Sequence, residues 1–122
     1  GWYRYDNGSK SPIIDDEVTA LVQSMADKEG ITRQDFSDET ITMRLLAVMA
    51  NEGALIVDEG IAERDLDIDM VKMLGYGFPR WRGGPMHYAG EIGWDTIAQA
   101  MAEVDAQSPG SWLIAPRLKD MI

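Results

Sequence analysis

The sequence predicts an all-α domain of four or five helices. Apolar residues recur at helical spacing in several segments, and capping residues or glycines mark the ends of these segments. No segment shows a convincing strand-like alternation. With 122 residues, of which 45% are hydrophobic, the chain is expected to bury one modest core.

Residues 1–14 are predicted to be an irregular lead-in to a helical domain spanning residues 15–122. Asp6-Asn7-Gly8 is a turn signal, and Pro12 stops any early helix. A first helix is predicted from Asp15 or Asp16 to Gly30. Its apolar positions are Val18, Leu21, Val22 and Met25.

The longest periodic segment predicts a second helix over about residues 39–59. Ser37 or Asp38 can cap its start, and Gly60 can end it. Its predicted apolar stripe contains Ile41, Leu45, Val48, Met49, Leu55 and Ile56. A short third helix, capped by Asp67, carries Ile68, Val71 and Leu74 on its apolar side.

The stretch "GYGFPRWRGGPMHYAG", residues 75–90, is predicted to be a connection that is neither helix nor strand, because turn formers are dense in it. A fourth helix is predicted from Trp94-Asp95, and Pro116 suits the first turn of a short terminal helix. The residues that these two helices are predicted to bury are Trp94, Ile97, Met101, Val104, Leu118 and Met121.

Composition and charge exclude several classes of function. The net charge of −10 argues against nucleic acid and anionic membrane surfaces as partners, because both need a basic footprint. The absence of cysteine excludes disulfides and thiolate metal sites and fits a reducing compartment. Uninterrupted apolar runs are far shorter than a membrane span.

His87 is the only histidine, and it could act as a general base or metal ligand. No second ligand stands at a suitable spacing, so a loop histidine that caps or packs is favoured. Asp65, Asp67 and Asp69 resemble the start of a calcium loop. Met70 and Tyr76 stand where such a loop needs glycine and glutamate, so an exposed acidic helix start is preferred.

Glu52 interrupts the apolar stripe of the long helix, seven residues after Leu45, and is therefore predicted to face the core. A buried carboxylate must be hydrogen-bonded or protonated. We favour a structural carboxylate that accepts backbone N–H groups from residues 75–90 over a catalytic acid with a raised pKa. Gly53 is expected to permit close approach of another backbone.

The glycine-rich stretch lacks the G-K-[ST] ending of a phosphate-binding loop and follows a helix instead of a strand. We interpret it as a rigid connection that lies against the long helix. Phe78, Trp81 and Tyr88 are predicted to supply buried mass, while Arg80 and Arg82 face outward or toward a neighbouring domain.

Three motifs in combination carry a family resemblance: Asn51-Glu52-Gly53, Gly75-Tyr76-Gly77-Phe78-Pro79 and Gly83-Gly84-Pro85. The segment "NEGALIVDEGIAERDLDIDMVKMLGYGFPRWRGGPMHYAG" resembles the C-terminal domain of 3-hydroxyacyl-CoA dehydrogenases. The similarity is to the second copy of that domain, at the end of multifunctional fatty-acid β-oxidation enzymes. Those enzymes join an enoyl-CoA hydratase domain, an NAD-binding domain and two helical copies. The lead-in "GWYRYDNGSKSPIIDDEV" resembles their segment between the copies.

The resemblance implies hydride transfer between NAD and the 3-hydroxyl of an acyl-CoA, with NAD bound outside this chain. It also implies that this chain has no catalytic or cofactor-binding residue, while the lack of suitably spaced ligands predicts that it has no metal site. Met43-Arg44-Leu45-Leu46 matches an N-R-L-L segment whose asparagine is catalytic in the first copy. Methionine cannot orient a substrate carbonyl or a water as that asparagine would. Gly90 stands where the family often has aspartate.

We therefore expect a non-catalytic scaffold that packs on the first helical copy. Because the given sequence begins at Gly1 without methionine, we also expect it to be a fragment of a longer enzyme. The alternative is a free-standing module that dimerises, which exposed Trp2, Trp81 or Trp112 would favour. A weaker alternative is that Arg80 and Arg82 bind the CoA moiety. The resemblance implies a bacterial cytoplasmic location, or a peroxisomal one in a eukaryote, and a thiolase subunit as a further partner.

Overall fold

A computed structural model describes residues 1–119 and residue 121 and confirms the all-α class. It contains two very short strands, six α-helices and one 3-10 turn. The elements are β1 (Tyr3–Arg4), β2 (Ile13–Ile14), α1 (Asp16–Lys28), α2 (Asp38–Asp58), α3 (Asp65–Gly75), the 3-10 turn (Arg80–Arg82), α4 (Pro85–Ile92), α5 (Trp94–Gln107) and α6 (Pro116–Lys119).

The first compact unit is Gly1–Asp35 and consists of a hairpin followed by α1. β1 and β2 pair antiparallel, with Tyr3 opposite Ile14 and Arg4 opposite Ile13. The prediction of an irregular lead-in was therefore wrong here, because strands of two residues are too short to show an alternating pattern. Asp15 caps α1 as predicted, since its side chain accepts from the Glu17 amide at 3.0 Å. The domain boundary between residues 14 and 15 stays a prediction.

The second compact unit, Phe36–Ile122, contains the other helices around one core. Ser37 caps α2 as predicted, accepting from the Thr40 amide at 3.2 Å. α2 lies against α4 and α5, and its buried side includes Ala47, Ala50 and Ala54, which are spaced three or four residues apart, and Gly53. Small side chains allow neighbouring helices to approach closely. The core includes Ala47, Ala50, Ala54, Leu55, Ile68, Met86, Ala89, Ile97, Ala98, Met101, Ala115 and Leu118.

Several predicted core positions lie on the surface. Ile41 and Leu45 of α2 are exposed, as are Val71 and Leu74 of α3 and Met121. Other members of the predicted α2 stripe do reach the core: Leu55 is buried, and Val48 and Ile56 pack against it. Ile41 and Leu45 do not, because the buried face at their end of the helix runs through Leu46, Ala47 and Ala50. Ile97, Met101 and Leu118 are buried as predicted.

α2 is 21 residues long and contains an 18-residue window with a mean hydropathy of 1.4, so by length and composition it could cross a membrane. Central helices of folded domains share these properties. One third of this window is buried, including Ala47, Ala50 and Ala54, which have no exposed surface.

Candidate functional site

The glycine-rich stretch is half connection and half helix. Residues 85–90 form the first part of α4, which begins at Pro85 and ends at Ile92. The prediction of a wholly non-helical stretch was wrong, because Pro85 occupies the first helical position, where its missing N–H costs nothing. Gly83 and Gly84, with φ of 72° and 109°, make the sharp entry to α4.

Asp69 of α3 caps α4 from another helix. Its Oδ1 accepts the Met86 amide at 2.7 Å, and its Oδ2 accepts the His87 amide at 3.0 Å. The Asp69 side chain is buried, and this burial raises the pKa of its carboxyl above the ordinary 3.8, although the two amide bonds act in the opposite direction. A Cβ atom at Gly84 would collide with the Asp69 carboxyl, so glycine is required there.

Asn51 of α2 clamps the segment before α6. Its Nδ2 donates to the Leu113 carbonyl at 2.9 Å, and its Oδ1 accepts the Ala115 amide at 2.9 Å. Asn51 has no exposed surface. A buried amide that meets both a donor and an acceptor satisfies its own needs and those of the backbone.

Glu52, predicted to face the core, is exposed instead. Adjacent helical residues point about 100° apart, so an error of one position turns a buried face into a solvent face. The role predicted for Glu52, accepting backbone N–H groups from the glycine-rich stretch, belongs to Asp69. The apolar pattern of α3 does not mark Asp69 as the residue with this role. Its partner amides lie 17 and 18 residues later in the chain, outside any local capping motif.

Gly53 permits close approach, but of side chains instead of a backbone. A Cβ atom there would lie 2.5 Å from the Met86 Sδ and 3.1 Å from the Ile68 Cγ2. α2, α3 and α4 thus meet at this glycine.

His87 is exposed, and its Nε2 lies 3.5 Å from the Glu91 Oε1, one helical turn later. It borders a surface groove of about 490 Å³ together with Asp65, Glu91 and Trp94. No group of three or more histidine, aspartate or glutamate side chains suited to a metal ion occurs within residues 1–119 and 121. The interpretation of His87 as a structural residue stays a prediction.

The acidic start of α3 is organised by arginines. α3 begins at Asp65, and Asp67 is not its cap; the Asp67 carboxylate instead accepts the Arg64 amide at 3.0 Å. The hydrogen bond from the Arg64 side chain lowers the pKa of Asp67. Asp65 pairs with Arg117 of α6 at 2.8 Å.

The aromatic residues of the stretch divide between core and surface. Phe78 is buried as predicted, and Tyr88 is partly buried. Trp81 is 78% exposed, so the prediction that it supplies buried mass was wrong. The Arg82 guanidinium lies 4.5 Å from the Trp81 ring centroid and 4.4 Å from that of Tyr88. Arg82 thus packs against both rings and is partly buried, whereas Arg80 is exposed.

Met43 and Arg44 lie in the first half of α2. Met43 is partly buried and packs against the core. The Arg44 guanidinium stacks 4.6 Å from the Phe36 ring centroid. Met43 and Arg44 line a pocket of about 290 Å³ with Glu39 and Glu103. Its lining combines two carboxylates, a thioether and one guanidinium.

Comparison with known proteins identifies the domain. Residues 41–122 match the family model of the 3-hydroxyacyl-CoA dehydrogenase C-terminal domain. The chain is 37% identical over 102 residues to the peroxisomal bifunctional enzyme of Danio rerio, covering 83% of this chain and 14% of that protein. It is 33% identical over 110 residues to the Homo sapiens peroxisomal bifunctional enzyme, covering 89% of this chain and 15% of that protein.

A bacterial relative extends the similarity along the chain. The fatty acid oxidation complex subunit alpha of Psychrobacter sp. (strain PRwf-1) is 29% identical over 124 residues, covering 99% of this chain and 17% of that protein. The chain therefore spans only about a sixth of the length of these relatives. By its match over residues 41–122, it belongs to the family of 3-hydroxyacyl-CoA dehydrogenase C-terminal domains.

Proposed function

We propose that this chain is a scaffold domain of a fatty-acid β-oxidation enzyme that hydrates enoyl-CoA and oxidises 3-hydroxyacyl-CoA with NAD. The observation that carries the proposal is family membership together with relatives named for fatty acid oxidation or as bifunctional enzymes. NAD and the acyl-CoA would bind to other domains of the whole enzyme. The peroxisomal and bacterial names of the relatives support the same two locations for this protein.

The use of the buried polar groups supports a scaffold over a catalyst. Asn51 and Asp69 are the buried polar side chains of the described residues, and both are committed to backbone hydrogen bonds. A catalytic acid or amide needs its polar atoms directed at substrate. Met43 replaces the asparagine that the resemblance places in the first copy.

The surface of α3 is the proposed contact with the first helical copy. Four large apolar side chains are 43–65% exposed there, on a helix of only 11 residues: Leu66, Met70, Val71 and Leu74. Val71 also borders an apolar groove of about 480 Å³ that includes Ile56 and Ile61. An exposed apolar surface of this kind is typical of a protein contact.

The test is to replace Met70 and Leu74 by glutamate in the full-length enzyme. We expect dehydrogenase activity and thermal stability to fall, because two charges would enter an apolar contact. The isolated 122-residue chain should retain its helical circular dichroism, since both side chains are exposed in it. Gln99→Glu with Gln107→Glu, which adds the same charge on exposed positions of α5, is the control. Equal activity of the two double variants would contradict the contact.

A homodimeric module without enzymatic activity is the second candidate. Trp2, Trp81 and Trp112 are 74%, 78% and 40% exposed, which is the condition that favours it. Sedimentation equilibrium of the 122-residue chain distinguishes the two: a dimer that Trp81→Ala dissociates supports the module. A thiolase subunit as a further partner rests on the resemblance alone, and co-purification with the full-length enzyme tests it.

A further inference from the structure

The sequence contains two asparagines, Asn7 and Asn51, and their surroundings are opposite. Asn51 is fully buried in α2, and both ends of its side-chain amide are held, by the Leu113 carbonyl and the Ala115 amide. Asn7 is exposed in the loop between β1 and β2. Its side chain makes no hydrogen bond among the described residues. The Asn7 amide carbon is therefore open to attack and to water.

Asn7 and Gly8 are the two central residues of a β-turn. The Ser9 amide donates to the Asp6 carbonyl at 2.9 Å, which is the backbone hydrogen bond that closes the turn. Gly8 has a φ of 83° and Asn7 a negative φ, the pattern of a type II turn. A Cβ atom at Gly8 would meet open space. The rest of the chain therefore does not obstruct an approach between the Gly8 nitrogen and the Asn7 side chain.

A glycine that follows an asparagine allows the main chain to attack the side chain. The Gly8 nitrogen would bond to Cγ of Asn7 as the bond from Cγ to Nδ2 breaks, and Nδ2 would leave as ammonia with the Gly8 amide proton. Water then opens the resulting succinimide at either carbonyl. Opening at Cγ gives aspartate, and opening at the main-chain carbonyl gives isoaspartate, whose main chain passes through Cβ. A side chain on the following residue hinders the attack, and glycine has none.

We propose that Asn7 is a deamidation site, at which the protein converts without an enzyme to a mixture of aspartate and isoaspartate. Asn51 is not such a site, because α2 fixes its backbone and attack would break both hydrogen bonds of a buried amide. Conversion at Asn7 adds one negative charge to a chain whose net charge is already −10. Isoaspartate also lengthens the main chain in the loop that joins two strands of two residues each.

The fold should slow the reaction at Asn7 only slightly. The net contribution of one hydrogen bond corresponds to a factor of roughly ten in an opening equilibrium. The rate of conversion at Asn7 in the native protein should therefore lie within about tenfold of the rate in the unfolded protein. Asn51 should show no conversion in the native protein over the same period, because its reaction requires α2 to open from the core.

The experiment incubates the full-length enzyme at neutral pH, native and in urea, and follows both asparagines by mass spectrometry of tryptic peptides. Cleavage after Arg4 and Lys10 releases residues 5–10, and cleavage after Arg44 and Arg64 releases residues 45–64. Replacement of NH2 by OH raises the mass of a converted peptide, and its aspartate and isoaspartate forms separate by chromatography. Both forms should accumulate at Asn7. A native rate more than about tenfold below the rate in urea, or formation of aspartate alone, would overturn the proposal.

A pair of glycine variants tests the route of attack. Gly8→Ala strains the turn, so its rate is measured in urea, where the fold makes no contribution. It should slow conversion at Asn7, because the new Cβ hinders the attacking nitrogen. Gly30→Ala is the matched control: Gly30 has a φ of 68° and open space around its Cβ position, and its replacement should leave the rate at Asn7 unchanged. Equal rates in the two variants would overturn the proposal. These rates do not involve enzymatic activity, so the outcome is independent of the scaffold proposal.

Discussion

The carboxylate of Asp69 on α3 lies 2.7 Å from the amide nitrogen of Met86, the second residue of α4. The position before α4 is Gly84, which has no side chain to accept the free amides of a helix start. Asp69 supplies both the hydrogen-bond acceptors and a negative group at the positive end of α4.

The contribution of Asp69 to the free energy of unfolding should fall as pH rises. A paired surface carboxylate, whose pKa is lowered in the folded state, contributes in the opposite direction. Because the pKa of Asp69 is raised in the folded state, the native protein binds its proton more tightly than the unfolded chain does. This contribution to stability is present below pH 3.8 and is lost as pH rises through the raised value. Urea unfolding of wild type and Asp69→Asn across this range measures it.

The free-energy difference, wild type minus Asp69→Asn, should therefore decrease as pH rises. Subtraction cancels the many other carboxylates. A difference that grows with pH would mean that the two amide bonds outweigh burial in setting the pKa of Asp69.

Two glycines of the same stretch should respond oppositely to alanine. Gly84→Ala should destabilise the chain by about 2–4 kcal/mol, because φ there is 109° and the new Cβ meets the Asp69 carboxyl. Gly90→Ala should stabilise it by about 0.5–1 kcal/mol, because Gly90 is within α4 and its Cβ would meet open space. Thermal and urea unfolding of both variants measure these changes. Similar effects in the two would contradict the tertiary cap.

Substitution by alanine should reduce the unfolding free energy far more at Asn51 than at the adjacent Glu52. Asn51→Ala should cost about 2–4 kcal/mol of unfolding free energy, because it leaves the Leu113 carbonyl and the Ala115 amide without their partner. Glu52→Ala, at an exposed position, should change stability by less than about 0.5 kcal/mol. Urea unfolding decides between them. A larger loss for Glu52→Ala would restore the core position predicted for it.

Replacing Arg80 and Arg82 by alanine in the full-length enzyme should leave the KM for acyl-CoA unchanged. Arg82 is held between Trp81 and Tyr88, so its loss should instead reduce thermal stability. Lys10→Ala with Lys119→Ala, which removes the same charge at exposed positions elsewhere, is the control. A raised KM specific to the Arg80 and Arg82 variant would support binding of the CoA moiety by these side chains.

The sequence predicted the starts of α1 and α2 well, because their caps are local. Ser37 and Asp15 accept amides two or three residues away, so both the signal and the partner are visible in one short segment. α4 has no such signal. Its cap is Asp69, and Gly84 and Pro85 appear as turn formers unless that distant carboxylate is known.

Burial was harder to predict than secondary structure. Hydrophobic size marked Leu45 as core, yet it is 61% exposed, while Ala47 and Ala50 have no exposed surface. Close helix packing selects small residues on one face of α2, and a partner surface can select large residues on another. The sequence of a single domain does not distinguish these two reasons for apolar residues.

The cap of α4 also bears on how this domain can come apart. A helix whose first amides are held by its own preceding residue can fray and re-form alone. α4 cannot, because separating it from α3 exposes the carboxylate of Asp69 and the amides of Met86 and His87 together. We therefore expect α3 and α4 to open and close as one cooperative unit, even though each has only about three turns or fewer.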